Sequence, residues 1–567
     1  MITKILKNNV WLPLVAFSFF VNTPVRAEIK PSDNSIINQI QVLFEVDELP
    51  EADSYTLYIT AIDRPENRIE ITTKSLACLI PAGFNFGQKY EWYYKASSGQ
   101  KIIFQSQLYH FSISNNFLVK RENFRYTITT ADTSLFYNNL IFLDNIGVVI
   151  NRKGEPVWYM PSGTVSGKEL QPYRNMTITK NGTITFLRKD ECYETDLSGR
   201  VLWKAPNDGK ISGDKTEYYH HDFLKLNDGT YLTCSYKYDT SAAIKTDNNY
   251  TRVRYNTLIL YNTAGKAIWW WNEKNYITDA EIVSASGGSK NMVNGTHLNG
   301  FIVDEKRSMY VLSFRNSNTL WGIDKKTGAV KFSICGKDKK TMQNGIAFNG
   351  QHSPVFTKEG NLVFYNNNAE PKTGQEKPSY PSVMLLSVSG KNKYSITRLW
   401  EYECVLPDYP HGLIGKEGYA EQLPNKNILI GVGGANKIIE VTPEKKKAWE
   451  MNCEVYDSMQ NKWTGFTNFR THSTSSLYPY YFTVQQPAKL NTGNKVTLKI
   501  NNDGSEYDVY EVTIAYKNKI KQIAHVAVNS FQSKTISFDG TPYKNSAGYS
   551  ITVKPAGVEG KSIIISR

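Results

Sequence analysis

Six short phrases of one grammar recur through the middle of the chain, each a polar turn followed by a strand that ends in an aromatic residue. They read NRKGEPVW to Trp158, DLSGRVLW to Trp203, NTAGKAIW to Trp269, DKKTGAVKF to Phe332, SGKNKYSITRLW to Trp400 and TPEKKKAW to Trp449. The aromatic endings lie 45, 66, 63, 68 and 49 residues apart. Repetition on this scale restricts a chain to an array of one supersecondary unit, because each copy buries its apolar face only against its neighbours. An earlier hairpin precedes several of these phrases: NMTITKNGTITFL from Asn175, HDFLKLNDGTYLT from His221 and HSPVFTKEGNLVFY from His352. Asx-Gly and similar turns between β-branched and aromatic runs are hairpin chemistry. Two hairpins make four strands, which is one blade of a β-propeller.

The expected fold is therefore all-β, a six-bladed β-propeller over residues 116–479. The repeats exceed the ~40–45 residues usual for a blade, so inserted loops are expected at 240–250 and 370–377. Almost no stretch keeps a 3.6-residue apolar period. Residues 28–115 alternate as in SYTLYITAI and KYEWYYKAS, the texture of an N-terminal Ig-like β-sandwich, and residues 480–567 repeat it in KVTLKINN and GYSITVKP as a C-terminal β-sandwich-like accessory domain.

Histidines fall in register on this frame. Counting back eight from the hairpin glycine gives His352 from Gly360 and His221 from Gly229, and the same count from Glu305 in the turn DEKRS gives His297. The equivalent position in the second blade, counted from Gly182, is Arg174. The first strand of each propeller blade is innermost, so equivalent positions converge on one channel. A lone histidine is more often structural, but three in register mark a candidate site. Asn299 shares a strand face with His297, and Arg315 follows on the next strand. Imidazoles with one guanidinium form a receptacle for a tetrahedral oxyanion. His220 and His221 are adjacent, and pleating puts only one of them in the channel. His110, His411, His472 and His525 have no partner in register and are read as structural. The WWW at 269–271 reads as sheet-edge core.

Lys4, Lys7, the apolar run Val10 to Val21 and the small residue Ala27 read as a secretory signal peptide, residues 1–27. The run is shorter than the ~20 residues a spanning helix needs. Export to the periplasm, without stable membrane insertion, is expected. Six cysteines (78, 192, 234, 335, 404 and 453) show no metal-type spacing, and the late pair Cys404 and Cys453 is the nearest candidate for a disulfide. The net charge of +13 favours anionic ligands, but without a dense Lys/Arg run or a nucleic-acid motif.

Taken together, HHDF at 220–223, HLN at 297–299, SFR at 313–315, GQH at 350–352 and GNLVFYNNN at 360–368 resemble the exported bacterial aryl-sulfate sulfotransferases, which use no soluble nucleotide donor. The resemblance implies an N-terminal sandwich, a six-bladed propeller, no cofactor, and a ping-pong transfer of a sulfuryl group from an aryl sulfate to a phenolic acceptor. By it His352 is the nucleophile that becomes a sulfohistidine. Arg315 and His297 hold the sulfuryl oxygens with Asn299, and His221 completes the clamp as proton donor and acceptor, with His220 as the alternative channel residue. The likeness stops near residue 480. A homodimer is compatible with it. Two other classes stay open on the residues alone: a metal-dependent propeller hydrolase or lyase using the three histidines as ligands, and a non-catalytic propeller that binds sulfated or phenolic ligands.

Overall fold

The computed structural model describes residues 28–117, 123–164, 172–239, 253–285, 295–336, 345–368, 380–390, 394–409, 415–486, 495–516, 519–539 and 549–566. The expected signal peptide, both expected inserted loops and His411 lie outside the described residues.

The chain is all-β, with one short α-helix, Asp279–Ser284, among the described residues. Between residues 124 and 474 the strands form six antiparallel sheets, five of four strands and one of six. The first strands of five of them are β1 (Tyr173–Ile178), β2 (His220–Lys225), β3 (Leu298–Asp304), β4 (His352–Phe356) and β5 (Tyr419–Gln422), and consecutive members lie side by side. The sixth sheet is completed from both ends of this region. Its strands Leu140–Leu143, Val148–Ile150 and Pro156–Tyr159 pair in sequence, and β6 (Ser473–Thr474) joins the free edge of the first. Ser473 N–H also donates to Oε1 of Glu421 on β5 at 2.8 Å, and His472 Nε2 lies 2.8 Å from Asn175 Oδ1 on β1.

The recurring aromatic has a physical reason. Five of the endings stand on the fourth strand of their sheets, counted outward from the first, and Trp158 stands on the third strand of the 140–159 run, each just past a register shift. The indole of Trp158 donates to the carbonyl of Leu197, that of Trp269 to Lys326 and that of Trp400 to Pro443, each in the turn of the next phrase. Trp449, in the last phrase, donates to the carbonyl of Arg152 in the first at 3.0 Å. The hairpin turns also match: Gly182, Gly229 and Gly360 adopt φ of 74°, 82° and 84°, and each N–H returns to the carbonyl three residues earlier. Glycine takes that left-handed conformation without a steric penalty.

The fourth unit departs from the expected register. Its left-handed turn residue is Ser308 (φ 54°), so the count of eight from Glu305 has no equivalent in the other units. His297 therefore sits one residue before the first ladder pair, Leu298 with Phe314, whereas Arg174, His220 and His352 are themselves paired.

Flanking this region, residues 35–113 carry a six-stranded and a two-stranded sheet around Phe44, Tyr55, Trp92 and Tyr94, and residues 482–566 a three-stranded and a four-stranded sheet around Leu498, Val512 and Val553. The two flanks meet: Lys30 Nζ donates to Tyr481 at 2.7 Å, and the Ser75 hydroxyl to the buried Asp503 at 2.5 Å. All six cysteines are free thiols, so the disulfide considered for Cys404 and Cys453 does not form; they belong to different core clusters.

Candidate active site

β1, β2 and β4 each break their pleat in the same way. A ladder pair at Arg174, His220 or His352 is followed by a residue in the left-handed region: Asn175 (φ 52°), His221 (φ 55°) and Ser353 (φ 54°). These are β-bulges, which re-aim side chains. The alternation expected for His220 and His221 is lost for that reason, and both imidazoles reach one cluster. Their Nδ1 atoms lie 2.7 Å apart. The His221 ring is centred 5.0 Å from that of His297 and 5.9 Å from that of His352. His297 also has positive φ, 60°, and its carbonyl accepts the Arg315 N–H at 2.9 Å.

His352 is 3% exposed. Its Nδ1 lies 2.8 Å from the Gly418 carbonyl, which can only accept, 2.8 Å from the Ser353 hydroxyl, and 2.9 Å from Arg470 Nη1, which can only donate. Nδ1 is thus fully engaged, whereas Nε2 makes no hydrogen bond among the described residues. The neighbouring Gln351 is fully buried, and its Nε2 donates to the carbonyls of Phe314 and Thr319 at 3.0 and 2.9 Å. Asn299 is likewise buried and gives Nδ2 to the Gln351 carbonyl at 2.7 Å, so it braces the histidine's own strand. Arg315 follows its strand and donates from Nη2 to the Gly415 carbonyl at 2.9 Å.

The Nδ1 atoms of His220 and His221 share one hydrogen bond, so one ring donates there and the other accepts and keeps its proton on Nε2. Burial, then the neighbouring positive groups, holds His220, His221 and His352 well below the usual histidine range, and His297 falls to about 4 for the same reasons, with Arg315 its chief neighbour. All four are neutral at neutral pH.

Several residues central to this site are absent from the register argument. Arg470, 1% exposed, places Nη1 2.9 Å from His352 Nδ1 and directs it to the Phe469 carbonyl; Nη2 donates to Asp222 Oδ1 at 2.8 Å and to the Asn299 carbonyl at 3.0 Å. Asp222 accepts the Phe301 N–H at its other oxygen. Asp144 is fully buried and accepts the N–H groups of Asn175, Phe469 and Arg470, with burial raising its pKa to about 7. His472, read from sequence as structural, lies between Asn175 and Tyr419 at 2.8 Å from each. The aspartate directly after His221 and the arginine in NFRTH were the available signals; no hairpin flags the latter. Among the described residues no group of three or more His, Cys, Asp or Glu side chains is arranged to hold a metal ion.

An all-β chain of repeated sheets that gathers four histidines, two arginines and a buried carboxylate has the make-up of a group-transfer enzyme acting on an anion. The family model described as Arylsulfotransferase (ASST) matches residues 125–452, more than half of the chain. The chain belongs to the arylsulfotransferase family. No curated protein matches it. Among solved structures it is similar to a protein of unknown function from Bacteroides caccae (14% identity, 61% of this chain and 98% of that one, TM-score 0.35). It is also similar to virginiamycin B lyase from Staphylococcus aureus (12%, 57% and 88%, 0.31) and to the Neurospora crassa Pan2 WD40 domain (10%, 66% and 85%, 0.29). At these scores the likenesses carry no argument.

Proposed function

We propose that this sulfotransferase moves a sulfuryl group from an aryl sulfate to a phenol through a sulfohistidine at His352, without a nucleotide donor. The observation that carries the reading is the tether of His352 Nδ1 to the Gly418 carbonyl, which leaves Nε2 as the nucleophilic atom beside His221, His297 and Arg315. Nε2 attacks sulfur, the bond from sulfur to the aryl oxygen breaks, and His221 Nε2–H gives its proton to the departing phenolate. The acceptor phenol returns a proton to His221 and attacks the sulfur, and the N–S bond breaks. Arg315 and His297 receive the sulfuryl oxygens, whose spread negative charge is the main demand of such a transfer. Sulfation of Nε2 with Nδ1–H in place creates a cationic ring. Arg470 beside it disfavours that charge, which keeps the intermediate reactive, while the Gly418 carbonyl makes it tolerable. His220 sets the tautomer of His221, and Asn299 holds the strand of His352.

On this reading the six sheets are the blades of a propeller spanning 116–479, a closure supported by the Trp449 indole reaching the first phrase. Residues 28–115 and 480–567 are its accessory sandwiches, and residues 1–27 direct the chain to the periplasm. The test is a two-substrate assay with 4-nitrophenyl sulfate and a phenol acceptor, without nucleotide or added metal. Acceptor-dependent release, ping-pong kinetics and a loss of ~10³-fold or more in His352→Asn are expected. Undiminished turnover in a folded His352→Asn protein would remove the mechanism.

A further inference from the structure

Four guanidinium groups surround the histidine cluster, and one of them is matched by a carboxylate. Arg470 pairs with Asp222 at 2.8 Å. Arg315 faces His297 and His352, within range to depress both. Arg174 and Arg254 make no ion pair among the described residues; aromatic faces hold them instead. The Arg174 guanidinium lies 5.3 Å from the centre of Phe469, and that of Arg254 lies 4.1 Å from the centre of Tyr236.

Those two rings belong to the site. Phe469 is centred 5.6 Å from His352 and 5.7 Å from His221, and Tyr236 stacks on His220 at 3.9 Å. Arg174, at the start of β1, holds the ladder position that His220 and His352 hold on β2 and β4, and Arg254 pairs with Tyr238, past the His220–Cys234 pair of the same sheet. A guanidinium held by its face keeps its edge N–H groups for a ligand. Arg254 Nε is buried with no hydrogen-bond partner. Asp190, whose charge reaches Tyr236, is exposed and pairs with neither arginine.

A sulfate monoester brings one negative charge, which Arg315 meets. Resting on the sulfuryl-transfer reading, we propose that Arg174 and Arg254 form a second anion subsite for a carboxylate or a second sulfate ester on the substrate's aromatic ring. The preferred donor is then an aryl sulfate bearing a further anionic group.

The test compares 4-carboxyphenyl sulfate with its methyl ester, alongside 4-nitrophenyl sulfate and 1,4-phenylene disulfate. The neutral ester releases the better leaving group, so a preference for the carboxylate must come from binding. Its kcat/KM should exceed the ester's by about tenfold, one charge-assisted contact. The ratio should collapse toward one in Arg174→Gln/Arg254→Gln and invert in Arg174→Glu. The disulfate separates the two anion types by sharing or lacking the preference. Turnover of 4-nitrophenyl sulfate and of the ester with no preference for either dianion overturns this subsite alone, as does a preference that survives the double variant. Silence with all four donors overturns it together with the sulfuryl-transfer reading.

Discussion

Arg470 is where the charge balance of the site is decided. Its guanidinium is buried, bridges Asp222 to the His352 ring, and receives its backbone fixing from Asp144. Removing one member of a buried pair leaves the other charge uncompensated, at a cost of about 3–5 kcal/mol. Arg470→Met should lower thermal stability by that amount. Adding Asp222→Asn should recover much of it, while activity stays low in both, a separation that a double-mutant cycle measures. The histidines make a second prediction. Their folded pKa values lie below the unfolded value of ~6.5, so the unfolded chain takes up more protons below that pH. The stability they contribute is present above it and is lost as pH falls toward about 4, the value for His297. Resonances of the eight histidines should accordingly show His297 titrating near 4 and none of the other three cluster rings titrating near 6.5.

At the scale of elements, the phrases that announced the repeat act as clasps between neighbouring sheets. Trp449→Phe keeps the ring but removes the N–H that satisfies the Arg152 carbonyl, and should cost about 1–3 kcal/mol in urea unfolding. This grammar was legible because it is local: a polar turn, a strand and an aromatic within eight to twelve residues. The trio His221, His297 and His352 was flagged for the same reason, yet the count held its register only for His352: on β2 the equivalent ladder position is His220, one before His221, and the fourth turn has its left-handed residue at Ser308. What pleating predicted for His220 and His221 failed because a bulge, invisible in composition, turns both toward one cluster. Arg470 was illegible because β6 has two residues and no hairpin of its own. Its importance comes from partners at positions 222, 299 and 352, a distance that local pattern does not span.

Across the whole molecule the flanking regions are joined by a buried polar seam. Asp503 accepts the hydroxyls of Ser75 and Thr483, and burial raises its pKa to about 7. A carboxyl raised above its unfolded value of ~3.9 favours folding most at low pH, and that contribution fades as pH rises through about 7. Asp503→Asn, which cannot ionise, should therefore gain in Tm relative to the parent between pH 5 and pH 8, and a constant difference across that range would count against the seam being held by a protonated carboxyl.

The short β6 has a consequence in time. A ribosome delivers His352 more than a hundred residues before Arg470, and the edge that β6 completes was made some three hundred residues earlier. Until the last of these segments arrives, Asp222 has no counter-ion and the first sheet has an open edge. A growing chain thus carries all four of the clustered imidazoles well before it can organise them.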